Sequence, residues 1–196
     1  MEQGREQYRL FVAIELPGPV KEQIAIVQEE LKRATREAQV SWTKPEQLHL
    51  TLKFLGNVDL AQVDAFHQAV RAACKDFGPL RLVAKGIGAF PDWRRPRVGW
   101  VGVNDNQGRL AKLQQFIEAA MSPFTKEKPE GEFTGHVTLG RLKWINRPET
   151  RVLAAAAQLF AEKVFGEWTV ETLAVMRGEL SSAGAQHSEL FRVRLS

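Results

Sequence analysis

Cysteine is almost missing from this chain: Cys74 stands alone among 196 residues, which excludes a disulfide framework and any cysteine-rich zinc site. A single buried or inert thiol in a reducing compartment is the expected picture, and a cytoplasmic location follows. Long apolar runs are missing too. The run from Leu10 to Ile14 follows charged residues and stops at Glu15 and Pro17, so it reads as a strand rather than a targeting or membrane segment. No low-complexity linker and no heptad seam occur, and a monomer is expected. Histidine is scarce as well, with four in the whole chain.

What is present suits one domain, spanning residues 1–196, with a core built from 44% hydrophobic residues. Lysine and arginine number 27 against 23 aspartates and glutamates, a formal charge of +4. That balance favours approach to polyanions without requiring it. Alternation predicts strands over 8–15, 40–43, 48–55, 80–90, 97–103, 133 to about 144, 168–180 and 187–195. Helical spacing predicts helices over 19–36, 60–77, 104–121 and 148–165. The loop 91–96 forms the tip of a hairpin, and 181–186 joins the last two strands. Several consecutive strands share short turns, which argues for antiparallel sheets in an α+β protein.

Two of the four histidines lie in one repeated pattern, His49-Leu50-Thr51-Leu52 and His136-Val137-Thr138-Leu139. A chance pair of His-x-Thr matches would arise at a rate on the order of a per cent. On a strand, alternation puts the histidine and threonine on one face and the apolar pair on the other. The copies stand 87 residues apart, near half the chain, which predicts two lobes with one motif strand each and weak internal symmetry. Leu48, Leu50, Leu52 and Phe54 would pin one strand to its core; Phe133, Val137 and Leu139 would pin the other. Facing histidines can divide proton transfer, one accepting from water while the other donates to a leaving oxygen, and the hydroxyls can hold phosphoryl oxygens. Neither motif has a carboxylate, cysteine or second histidine at metal-ligand spacing, so no metal and no cofactor are expected.

At these residues the chain resembles the 2H phosphoesterase superfamily, defined by two H-x-T-x motifs, and within it the RNA 2',3'-cyclic phosphodiesterases, also called 2'-5' RNA ligases. The resemblance also takes in Arg9 to Ile14, Trp42, the run His49 to Gly56, Arg97 to Gly102, Phe133 and the run His136 to Arg141. It implies a bilobal, pseudo-twofold α+β fold, with two antiparallel sheets facing a central cleft and helices outside. It also implies metal-independent hydrolysis of RNA 2',3'-cyclic phosphate ends to 2'-phosphates. In these terms His49 is the proton donor, His136 the proton acceptor, and Thr51 and Thr138 hold the phosphate. Arg141 is a phosphate ligand in such proteins, but strict alternation puts it on the wrong face, and a bulge at Gly140 would be needed to bring it round.

Two positions depart from the family pattern. Gly135 stands where a proline commonly precedes the second histidine, which would loosen the approach to His136. His187 stands where the closing strand usually carries a tyrosine. Outside the motifs, Trp93, Arg94, Arg95 and Arg97 combine a stacking surface with charge, as single-stranded RNA binding requires, or form a solvated loop tip. His67 is expected on a solvated helix face. Alternatives on the same site are 2'-5' ligation, 2'-5' phosphodiester hydrolysis, or a non-catalytic module that binds RNA ends.

Overall fold

The computed structural model describes residues 7–127, 131–181 and 184–196. Among them are nine strands and four helices: β1 (Gln7–Glu15), α1 (Gly18–Ala34), β2 (Gln39–Trp42), β3 (His49–Asp59), α2 (Val63–Cys74), β4 (Leu80–Phe90), β5 (Val98–Asn104), α3 (Arg109–Met121), β6 (His136–Trp144), α4 (Arg147–Gln158), β7 (Val164–Val170), β8 (Thr172–Ser181) and β9 (Gly184–Arg194). All the strand pairs are antiparallel, so the chain is α+β as its short turns imply.

The strands form one curled sheet in the order β7-β4-β5-β6-β3-β1-β8-β9, with β2 also on β6. The two expected sheets are its two halves, and they meet at a single bridge, Leu50 opposite Val137. These are the central apolar residues of the two motifs, and both are fully buried. A bridge between repeats at equivalent positions is what a pseudo-twofold axis through that pair produces.

The helices cross over. α1 follows β1 but packs on α4 and β7 of the other half, while α3 follows β5 but packs on α2 and β3. Each half therefore buries its apolar face under a helix that starts from its neighbour. α1 does so with Val20, Ile24, Val27 and Leu31, at helical spacing. α3 uses Leu110, Leu113, Ile117 and Met121. The result is one continuous core.

Several element boundaries differ from the sequence reading. α4 ends at Gln158, and Val164 and Phe165, read as its end, open β7. The strand read as 168–180 is two strands divided at Glu171: β7 pairs with β4, whereas β8 pairs with β1 in the other half. Local alternation carries no mark of a change of partner. Helix 104–121 starts only at Arg109, because the Asp105 carboxylate accepts from the N–H groups of Gln107, Arg109 and Leu110 and holds a turn there. β8 and β9 run to Ser181 and from Gly184, shortening the loop read as 181–186; residues 182 and 183 lie outside the described residues. No described helix is long and apolar enough to cross a membrane.

Candidate active site

Around the Leu50–Val137 bridge the register sets His49 across from Thr138 and Thr51 across from His136. All four lie on the face opposite the buried pair, and all four are half-buried. The histidines are thus diagonal neighbours, a relation that spans roughly 7–8 Å in a regular antiparallel pair. The two rings thus stand on one face of the sheet, on adjacent strands.

Each imidazole is held in the same way. His49 Nδ1 lies 2.7 Å from the Gln47 carbonyl oxygen, and His136 Nδ1 lies 2.8 Å from that of Thr134. A carbonyl only accepts, so Nδ1 carries the proton in both rings and Nε2 is left for chemistry. Burial pushes the pKa of His49 down from 6.5 to about 4, helped by the nearby charges of His187, Lys21 and His136 and opposed by the Gln47 bond. Burial also lowers that of His136, with Arg141 adding to the effect. Both rings are therefore neutral near pH 7 in the free protein. An anion between them would raise both values.

Both motif strands carry a bulge at the fourth motif residue. Thr51 pairs with Ala13 but Lys53 with Val12, so Leu52 is the extra residue in β3. Thr138 pairs with Trp100 but Gly140 with Gly99, so Leu139 is the extra residue in β6. Beyond each bulge the faces exchange. Arg141 therefore comes round to the face of His136, close enough for its charge to act on that ring. The required bulge exists one residue earlier than expected.

In β3 the same exchange corrects the expected core face. Phe54, expected to pin the strand, is half exposed and packs 5.6 Å from Phe11 on the histidine side. Lys53 turns inward instead, where its ammonium donates to Glu118 at 2.6 Å and to the Glu127 carbonyl at 2.8 Å. Phe133 precedes β6 and packs against the core.

Gly135 also departs from its expected role. The Val103 N–H donates to its carbonyl at 2.8 Å, and a Cβ there would sit 2.3 Å from the Val103 carbonyl oxygen. The segment entering His136 is pressed against β5, and the absence of a side chain permits that close approach.

Residues that alternation alone did not select complete the site. Phe11 stacks on His49 at 4.9 Å, and Phe90 meets His136 edge-on at 5.0 Å. Trp100 lies 6.4 Å from His136, its indole lying over Gly88, where a Cβ would meet it at 2.1 Å. His187 reaches the site: its ring is 5.3 Å from His49 and 4.9 Å from Phe11, and its buried Nδ1 has no hydrogen-bond partner among the described residues. These rings do not stand directly across from the histidines in the strand pairing, so no spacing along the chain marked them.

The other singled-out residues have surroundings of their own. Trp93 packs against the core behind β6, beside Trp42, Leu139 and Leu142. Arg94 is bound to Asp92 at 2.7 Å, while Arg95 and Arg97 are exposed. His67 is not on a solvated face but packs 4.2 Å from Phe191. Cys74 is fully buried, and its pKa is pushed up to about 12.

Comparison with known proteins bears on the family and the fold. Residues 14–100 match the family described as LigT like Phosphoesterase. The RNA 2',3'-cyclic phosphodiesterase of Methanothermobacter thermautotrophicus is 31% identical over 189 residues, covering 95% of this chain and 98% of that protein. Its namesake from Archaeoglobus fulgidus is 30% identical, covering 93% and 97%. The chain belongs to the LigT-like phosphoesterase family. The structure of TT0787 of Thermus thermophilus superposes on this LigT-like phosphoesterase with a TM-score of 0.72 at 27% identity, covering 95% of this chain and 97% of the other. Escherichia coli LigT complexed with 3'-AMP gives 0.75 at 22% identity, covering 97% and 99%, a likeness of fold.

Proposed function

We propose that the chain hydrolyses 2',3'-cyclic phosphate ends of RNA to 2'-phosphates, with two histidines moving the protons and no metal. The observation that carries this reading is the matched pair of imidazoles, each with Nδ1–H tied to the carbonyl two residues back and Nε2 open. Relatives over nearly the full chain bear the name RNA 2',3'-cyclic phosphodiesterase, which supports the substrate class.

His136 Nε2 takes a proton from water as its oxygen bonds to phosphorus. The bond from phosphorus to O3' breaks, and His49, protonated at Nε2 as well as Nδ1, gives that proton to O3'. Thr51 and Thr138 donate to the non-bridging oxygens, and Arg141 offsets their charge. Substrate promotes the step it needs, because its negative charge raises the pKa of the neutral, half-buried His49 toward the protonated form. The donor and acceptor roles follow the family, since the two rings are bonded alike.

The test is to incubate the protein with a 2',3'-cyclic nucleotide and a cyclic-ended oligonucleotide in EDTA and locate the phosphate in the product. A 2'-phosphate formed in chelator is the expected result. Activity lost in EDTA and restored by a divalent metal overturns the metal-free step, and a 3'-phosphate reverses the leaving group.

A further inference from the structure

Gln28 lies in the middle of α1, fully buried, a polar side chain among Ile24, Val27 and Leu31. Its amide nitrogen donates to two carbonyls, those of Thr43 and Leu139, each at 2.8 Å. Both partners only accept, so the amide can face them one way round. Its Oε1 is left buried with no hydrogen-bond partner among the described residues. An apolar residue would fill the place without stranding an oxygen, so the amide is retained against a desolvation cost.

The Leu139 carbonyl belongs to the extra residue of the β6 bulge, and it also accepts from the Thr43 N–H at 2.9 Å. One amide thus ties the end of β2 to the bulge. Arg141 is two residues further on, and it faces His136 only because the bulge exchanges the faces of β6.

The other motif has a looser counterpart. Gln114 on α3 reaches the Leu52 carbonyl of the β3 bulge at 3.5 Å and divides itself with Glu118 at 3.4 Å. There the residue five places after the histidine is Phe54 rather than a cation. The tight tie occurs at the motif that has an arginine to aim. It comes, moreover, from the helix that starts in the opposite half of the sheet.

We infer that Gln28 is a positioning residue for Arg141: from α1 it clamps the Leu139 bulge and so holds the guanidinium on the phosphate side of the cleft. This rests on the proposed function, through the placement of Arg141 on the phosphate.

The experiment is a double-mutant cycle on the full chain, with kcat and KM measured on a 2',3'-cyclic nucleotide for wild type, Gln28→Met, Arg141→Ala and the double variant. Gln28→Met keeps the length and loses the donors. Its expected effect is a rise in KM of about tenfold, the size of one misplaced hydrogen bond, with kcat changed by less than about threefold. In the Arg141→Ala background the rise falls below about twofold. Gln28→Asn, which keeps the amide but reaches a methylene short, should show the same dependence and serves if the methionine variant does not fold. Gln114→Met should cost equally with and without Arg141. Equal factors for the Gln28 variants in both backgrounds, or no change in KM, overturn the inference while wild-type turnover leaves the proposed function standing. A wild type that does not turn over the substrate removes both.

Discussion

A histidine works as acid or base only if one ring nitrogen is committed elsewhere, and here both rings are committed through Nδ1 to the backbone. The carbonyls come from residues i−2, so each short entry segment orients its own imidazole. His49→Ala and His136→Ala are each expected to lower kcat by about 10²- to 10⁴-fold with the fold intact by circular dichroism. The pH dependence follows from the lowered values. In the free protein the form with one protonated ring is most populated below pH 6.5, so kcat/KM should peak on that side, and kcat, read with the anion bound, should peak at higher pH. His187 adds to the lowering at His49. His187→Gln removes that charge, raises the His49 pKa and should move the limb of the kcat/KM profile that His49 sets to higher pH. An unmoved limb would separate His187 from the donor.

Strand alternation explains each element only as far as its bulge. His49 to Leu52 and His136 to Leu139 follow the period of two, and their buried and open faces were legible in the residues. Past Leu52 and Leu139 the period slips, because a bulge is a property of a pair of strands and neither strand encodes it alone. This is why alternation alone puts Phe54 in the core and turns Arg141 away from the site. The entry to the second motif makes the same point through sterics. Gly135→Ala should force the segment off Val103, costing about 1–3 kcal/mol in a urea titration and displacing His136 enough to lower kcat/KM at least tenfold. An alanine variant of wild-type stability and activity would show that the segment can move aside at no cost.

Over the whole molecule, burial of titratable rings ties stability to pH. The unfolded chain binds a proton on His49 near pH 6.5, whereas the folded chain resists it until about pH 4. Stability is therefore complete above 6.5 and declines as pH falls from 6.5 to 4, by about 3 kcal/mol for this ring. His136 and His187, also lowered, act in the same direction. Urea midpoints at pH 7.5 and 4.5 should differ accordingly, and His49→Gln should flatten the slope. A phosphate anion in the cleft should oppose the decline.

The residues by themselves determined the class of fold, the two-part organisation and the four side chains of the motifs, because these depend on local period and on repetition. Tertiary structure decided what depends on a second strand or a second half: the bulges that bring Arg141 and Phe54 to the histidine face, the division of 164–181 between two partners, and the arrival of His187 beside His49. It also decided the crossed helices, which bring Gln28 from one half to the backbone of the other. Pairing and register are relations between distant segments, settled when one continuous core is buried, and no single segment carries them.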